Sequence, residues 1–253
     1  PLLACPRLSL QMHTQKLAVL QVRAQTRYDM ARGVLTARGT GPAIAGVMPA
    51  FDLTHAATGW QAHAALPSMP TSALQALLRP WLSLPESLVL SGETRLQLNL
   101  EGDPKGTRAA VEFALRDGAF QNEAFTWLGE KLSLTLQGEA DLAARPLAFS
   151  VKVMGMQGQA LAGPVLLDFT ANPLEFSARG TITPQQLVIE AFDGRQKDLA
   201  EASGAARFTL EPLAIQAANA DVRDIRFPAA YSTYLQQSLA TTPFNQLSTT
   251  GSA

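Results

Sequence analysis

The stretch Thr94–Arg116, TRLQLNLEGDPKGTRAAVEFALR, carries the clearest structural signal in the chain. Apolar side chains occupy every second position on both sides of a central turn. They are Leu96, Leu98, Leu100, Val111, Phe113 and Leu115. Alternation with period two predicts strands that have one apolar and one solvated face. Pro104, within the intervening Gly102–Gly106, suits the second position of a tight turn, so the stretch predicts an antiparallel hairpin.

The same alternation returns along most of the chain. It is strong at Leu132, Leu134 and Leu136 and again at Phe149, Val151 and Val153. Further strands are predicted at 8–12, 20–27, 33–38, 60–66, 164–170, 174–179, 186–192, 205–210, 213–217 and 220–226. Neighbouring strands of this kind place their apolar residues on one continuous surface. A function that uses such a surface needs no catalytic residue.

Two segments break the alternation. Apolar residues recur at helical spacing over 71–83, although Pro80 would kink or divide that helix, and a second helix is predicted over 229–240. The dipeptides Asp117-Gly118 and Asp193-Gly194 are predicted as turns. The fold class expected from these patterns is dominated by antiparallel β-structure, with two short helices.

Composition narrows the function classes. Charged residues make up 16% of the 253 residues and the net charge is −1, which argues against nucleic acid as a partner. No run of 18 apolar residues is present, so the sequence predicts no membrane-spanning helix. The single cysteine, Cys5, excludes an intrachain disulfide and is expected in a proline-flanked loop.

The two helical segments are embedded in similar phrases. Leu78–Leu82 leads to Ser91-Gly92, and Leu235–Leu239 leads to Thr250-Gly251, at offsets of about 157 and 159 residues that follow from the numbering. This similarity predicts a long internal repeat with boundaries near 70–92 and near 228–251. Residues 1–253 are then one continuous β-rich segment, expected to belong to a longer chain.

No catalytic or metal-binding constellation stands out. His13, His55 and His63 have no Asp, Glu or Cys at ligand spacing, and His63 falls on the polar phase of its strand. Gly-x-Ser-x-Gly and P-loop motifs are absent. Asp221 and Asp224 fit solvated residues of an edge strand better than a general acid and base. The sequence therefore predicts no enzyme, no metal site and no cofactor.

Three phrases resemble AsmA-like bacterial envelope proteins, and within them the YdbH and TamB type. The first is Leu90-Ser91-Gly92 with the strand that follows it. The second joins Leu115–Phe120 to Lys131–Leu136. The third runs from Tyr234–Gln237 to Leu247–Gly251. Together they touch most of 88–253, and 1–70 resembles the family only in style.

The resemblance implies a long curved sheet bent into an open apolar groove. Such proteins are anchored in the inner membrane, cross the periplasm and are thought to carry phospholipid to the outer membrane. The implied partners are phospholipid acyl chains, together with inner- and outer-membrane proteins at the ends of the full-length chain. The expected lipid-binding residues are Leu96, Leu98, Leu100, Val111, Phe113, Leu115, Leu132, Leu134, Leu136, Phe149, Val151 and Val153.

Two alternatives remain open at the level of sequence. An apolar sheet face is ordinarily the sealed core of a sandwich or barrel, which would fit a structural or adhesive envelope protein without a ligand. A compact lipid carrier with a closed cavity is a third interpretation. Few aromatic residues and few helices favour an open surface, because little is available to fill or cover a core.

Overall fold

A computed structural model describes residues 2–12, 20–44, 46–78, 88–240, 242 and 251–252. Fourteen strands in the described residues form one antiparallel sheet. The first seven are β1 (Leu2–Met12), β2 (Leu20–Asp29), β3 (Val34–Thr40), β4 (Ala50–Ala56), β5 (Gly59–Pro70), β6 (Val89–Asp103) and β7 (Gly106–Gln121). The others are β8 (Trp127–Asp141), β9 (Leu147–Ala162), β10 (Val165–Asp168), β11 (Leu174–Ile182), β12 (Gln186–Gln196), β13 (Ala200–Leu210) and β14 (Leu213–Arg223).

The sheet is a meander in which each strand pairs with the next one in the chain. The exception is β10, which pairs only with β9, so that β9 continues to β11. The sheet does not close, because β1 and β14 are its two edges. A separate two-stranded sheet joins β15 (Arg226–Phe227) to β16 (Gly251–Ser252). The predicted fold class is confirmed.

The hairpin predicted at 94–116 is confirmed. β6 and β7 pair from Asp103 and Gly106 outwards, with Pro104 and Lys105 in the turn. The Asp103 carboxylate accepts hydrogen bonds from the backbone N–H groups of Lys105 (2.7 Å) and Gly106 (3.0 Å). At the same end of the sheet, the carboxylates of Asp29 and Asp141 accept backbone N–H hydrogen bonds in two other hairpin connections.

Several details of the sequence prediction are wrong. Asp117-Gly118 lies inside β7 at a bulge, because Asp followed by Gly suits a bulged strand as well as a turn. Asp193-Gly194 lies inside β12, where both residues pair regularly with β11 and β13. The predicted strands 213–217 and 220–226 are one strand, β14. Cys5 belongs to β1 and not to a loop. The short strand β4 was not predicted.

The helices lie at one end of the strands, and the turns ordered by Asp29, Asp103 and Asp141 lie at the other end. α1 (Thr71–Leu78) occupies the first part of the predicted 71–83, and 79–87 lie outside the described residues. The helix predicted at 229–240 is two short pieces, α2 (Ala229–Tyr234) and α3 (Gln236–Leu239). They separate at Leu235, whose φ of −118° departs from helical geometry.

A single sheet with two small helical segments leaves most residues near solvent. The accessible surface is 16598 Å², whereas a compact protein of this mass exposes about 10,800 Å². The described contacts of α1 are with β5 and β6, and those of α2 are with β10, α3 and β15. No second sheet therefore covers the apolar side in the described part of the chain. The sealed core of the sandwich alternative is not present there.

Candidate functional site

The register places small and apolar residues in an uninterrupted row across the whole sheet. The row takes one residue from each of thirteen strands, and each member pairs directly with the next. Its members are Leu8, Ala24, Gly39, Phe51, Ala64, Leu98, Val111, Gly138, Val151, Ala178, Phe192, Gly204 and Ala220. With about 4.8 Å between strands, the row runs for about 58 Å.

Two flanking rows are equally free of polar side chains. One contains Leu66, Leu96, Phe113, Leu136, Val153, Phe176, Gly194, Ala202 and Val222. The other contains Leu53, Ala62, Leu100, Ala109, Ala140, Phe149, Gly180, Ile189, Ala206 and Ala218. We call the side of the sheet that carries these three rows the apolar face.

All twelve residues predicted to bind lipid lie on the apolar face, on β6 to β9. Eleven of them are half-buried, which is the exposure expected on a sheet face with no second layer over it. Leu132 differs, because it is only 1% exposed. It packs against Phe120 above Gly129, so it contributes to packing and offers no surface to a ligand.

Glycines allow large side chains to lie flat on the apolar face. A Cβ at Gly138 would stand 2.9 Å from Val111 Cγ1, and a Cβ at Gly39 would stand 2.7 Å from the Phe51 ring. Phe176 and Phe192 stack with their ring centroids 6.2 Å apart. Large residues thus lean over small ones, and the face becomes smooth rather than ridged.

The opposite side of the sheet is polar. There the Nδ1 atom of His63 lies 2.6 Å from the Asn99 side-chain oxygen, and Arg108 lies 3.9 Å from Glu101. A depression of about 670 Å³ opens around these residues, where Ala110 is surrounded by longer side chains. It is an open hollow whose lining combines apolar residues with the charged residues Asp52, Glu101 and Glu139, which sets it apart from the three apolar rows.

The candidate metal and acid–base residues are not brought together. His55 lies on the apolar face beside Trp60, His63 lies on the polar side, and His13 is outside the described residues. Asp221 is exposed on the edge strand β14, and Asp224 follows that strand at a φ of +50°. Within the described ranges no three His, Cys, Asp or Glu side chains group to hold a metal ion.

The strand register shifts at nearly the same height between each pair of neighbouring strands from β5 to β9. The register shifts after Leu66 in β5 and after Ser91 in β6, and again at 115–118 in β7 and 130–133 in β8. The bulge in β8 lies beside Gly158 of β9, where a Cβ would stand 2.5 Å from the Lys131 carbonyl oxygen. Aligned bulges bend a sheet, so this line marks a change of strand direction.

Helix α2 closes one end of the apolar face through a buried polar contact. The Tyr234 hydroxyl donates a hydrogen bond to the side-chain oxygen of Gln196, which is buried at the end of β12. The Gln196 amide in turn donates to the Asn172 carbonyl oxygen (3.2 Å). Burial raises the pKa of the Tyr234 hydroxyl.

A carboxylate orders the turn that leads from β10 to β11. Asp168 accepts hydrogen bonds from the backbone N–H groups of Ala171 (3.0 Å) and Thr170 (2.9 Å), and from the Gln159 side chain (2.9 Å). The Ala171 contact first, and the other two with it, hold the pKa of Asp168 below its usual range. The group shapes the turn and does not face the apolar rows.

The residues predicted to bind lipid leave out the parts of the apolar face that β1 to β5 and β11 to β14 supply. Phe176, Ile189 and Phe192 belong to the second of these parts, but most of their neighbours are Ala or Gly. Alternation of small residues with Ser and Thr has little contrast in hydrophobicity. The spacing of Phe176, Ile189 and Phe192, combined with the strand register, is the signal that identifies this part of the face.

Comparison with known protein families, with curated proteins and with solved structures found no match to this chain. Among the described residues, no helix has both the length and the apolar character needed to cross a bilayer. The geometry of the apolar face is therefore the basis for assigning a function.

Proposed function

We propose that the apolar face binds the acyl chains of phospholipids and conducts them along the sheet. The observation that carries this proposal is the set of three apolar rows, which cross up to thirteen strands without a charged residue and have no covering layer in the described part of the chain. Large exposed apolar surfaces on proteins mark binding sites, because leaving them in water is unfavourable.

The expected affinity follows from area. A fully buried CH₂ group contributes about 0.8 kcal/mol, and contact on one side only gives about half of that. A 16-carbon chain lying on the apolar face would then gain about 6 kcal/mol before ordering costs. This is enough for reversible binding, which a conduit needs, and too little for a permanently bound lipid.

The smoothness of the face supports movement as well as binding. Val111 leans over Gly138 and Phe51 leans over Gly39, so these side chains fill the hollows that the glycines would otherwise leave on the face. No residue among the three rows can pair with a phosphate group, so the headgroup would remain in water. Selectivity would therefore rest on the acyl chains.

The resemblance to AsmA-like proteins supplies the biological setting of the proposal. The chain would be a periplasmic segment of an envelope protein that is anchored in the inner membrane and delivers phospholipid towards the outer membrane. Membrane proteins at either end would load and unload the lipid. Gly92 and Gly251, which the proposed repeat aligns, share a φ of +105° and +104°, and this supports a repeating unit.

Site-specific photo-crosslinking in bacterial cells tests the proposal. Photoreactive residues at Leu98 and Phe113, on the apolar face, should capture phospholipid. The matched controls are Gln97 and Glu112, the adjacent residues on the polar side of the same strands. Equal lipid labelling at all four positions, or none at Leu98 and Phe113, would contradict the proposal.

A further inference from the structure

Strands β6 to β10 continue beyond the line of bulges and form a projecting end of the sheet. We call 88–91, 118–130 and 159–168 the sheet tip. β6 and β8 have 15 residues, and β7 and β9 have 16. These four are the longest strands of the described sheet. The neighbouring strand β11 pairs with β9 only as far as Gly155, so it does not reach the tip.

The tip carries apolar side chains on both of its sides, although Glu130, Gln159 and Asp168 lie on the side that continues the polar face. The side that continues the polar face carries Val89, Leu128, Leu161 and Leu166, joined through Gln121 in one paired row. Val89 is 56% exposed and Leu166 is 51% exposed. The other side continues the apolar face and ends in Trp127, which is 57% exposed.

The loop at the end of the tip is held rigidly by one side chain. The Asn122 side-chain oxygen accepts a hydrogen bond from the Trp127 backbone N–H (2.9 Å), and the Asn122 amide donates to the Thr126 hydroxyl (2.9 Å). The Asn122 carbonyl accepts from the Phe125 N–H (3.0 Å). The loop is therefore organised before any partner is met.

This rigid loop presents a phenylalanine in an unfavourable backbone conformation. Phe125 has a φ of +53° and is 62% exposed, so its backbone conformation is unfavourable and its side chain is not buried. A bulky residue in the left-handed region is a true outlier, since Gly or Asn would fit the turn better. Such strain at an exposed apolar side chain points to contact with a partner.

The shape and charge of the tip select the partner. A protein surface that covers one side of a sheet leaves the other side wet, whereas a fluid apolar phase surrounds both sides. The tip contains Glu123, Glu130 and Asp168 but no Lys or Arg, which disfavours anionic headgroups. Trp and Phe side chains are suited to the boundary between headgroups and acyl chains.

We propose that the sheet tip inserts Phe125 and Trp127 into the interface of a bilayer of zwitterionic lipid. This contact is separate from the binding of single acyl chains on the apolar face and does not depend on it. It would hold the projecting end of the central strands against a membrane, with Asn122 keeping the loop in its inserting conformation.

Flotation with phosphatidylcholine vesicles tests the proposal on the whole chain. We expect the wild-type protein to float and the double variant Phe125→Ser, Trp127→Ser to bind at least fivefold less. Ile215→Ser is the matched control, since Ile215 is 68% exposed on the edge strand β14, away from the tip. This variant should bind vesicles as the wild type does. Replacing part of the phosphatidylcholine with phosphatidylglycerol should weaken binding.

A second variant separates membrane contact from folding. Phe125→Asn places a residue that tolerates positive φ in the turn, so it should raise the unfolding temperature while still losing vesicle binding. Equal flotation of wild type and double variant would overturn the proposal. So would sedimentation showing that the tip variants only abolish self-association and leave the vesicle-bound fraction unchanged.

Discussion

A carboxylate placed in the middle of the apolar face separates an open surface from a sealed core. Val111→Asp is the test, because Val111 lies in the central row between Leu98 and Gly138 and is half-buried. On an open sheet face the new carboxylate remains hydrated. In a sealed core it would be desolvated without a partner.

The magnitude follows from the structure. Losing the half-buried valine side chain costs about 1 kcal/mol, and aspartate's poor β-propensity adds about 1 kcal/mol. We therefore expect the free energy of unfolding to fall by about 2 kcal/mol. Burial of the charge in a closed core would instead cost more than about 4 kcal/mol and would unfold many proteins of this size.

Urea unfolding and lipid binding should be measured on the same samples. Ala114→Asp is the matched control, because Ala114 lies on the polar side of β7 between Arg95 and Thr135. We expect Val111→Asp to stay folded with at least tenfold weaker lipid binding, and Ala114→Asp to bind lipid normally. A loss of more than about 4 kcal/mol in Val111→Asp alone would refute the open-face account.

Three further predictions follow from individual contacts. Gly180→Ala should destabilise the sheet by several kcal/mol in urea unfolding, because its Cβ would stand 1.9 Å from a backbone oxygen, whereas Gly194→Ala, at 3.4 Å from a ring carbon, should change stability by less than about 1 kcal/mol. Because burial raises the pKa of Tyr234, its contribution to stability is present below about pH 10 and is lost as the pH rises through the folded-state value. Thermal unfolding should show this alkaline loss in wild type, and Tyr234→Phe should lack it. Leu134→Asp should weaken lipid binding while the protein still accumulates in cells, as measured by immunoblotting.

The strong hydrophobic alternation made β6 to β9 predictable from sequence. Large apolar residues alternate there with polar ones, so both the strands and the shared face of Leu98 and Val111 follow from local pattern alone. The strand β4 was missed because its apolar positions, Phe51 and Leu53, are only two. Its existence depends on pairing with β3 and β5, which no local pattern shows.

The bulges explain most of the remaining errors. Asp117-Gly118 reads as a turn because Asp at positive φ followed by Gly is typical of one, but here it bends a strand that stays paired. Bulges also hid the sheet tip, since the extra residue at Lys131 shifts the alternation. Leu128 and Leu132 therefore lie on opposite sides of the sheet, although strict period-two alternation would place them on the same side.

The same limit applies to the candidate site. Sequence phase placed Leu96 and Phe113 on one apolar face, but it did not decide between an open and a sealed surface. That distinction depends on what covers the face, and this is a property of the whole fold. In the described part of the chain the sheet is open at β1 and β14, and no second layer covers the face.

The dependence of affinity on acyl-chain length tests the central claim most directly. Lysophosphatidylcholines that differ only in chain length should be titrated into the protein below their micelle-forming concentrations. If acyl chains lie on the apolar face, each added CH₂ should strengthen binding by about 0.4 kcal/mol, or about twofold, and Val111→Asp should reduce this gain. An affinity that does not change with chain length would contradict the proposed function.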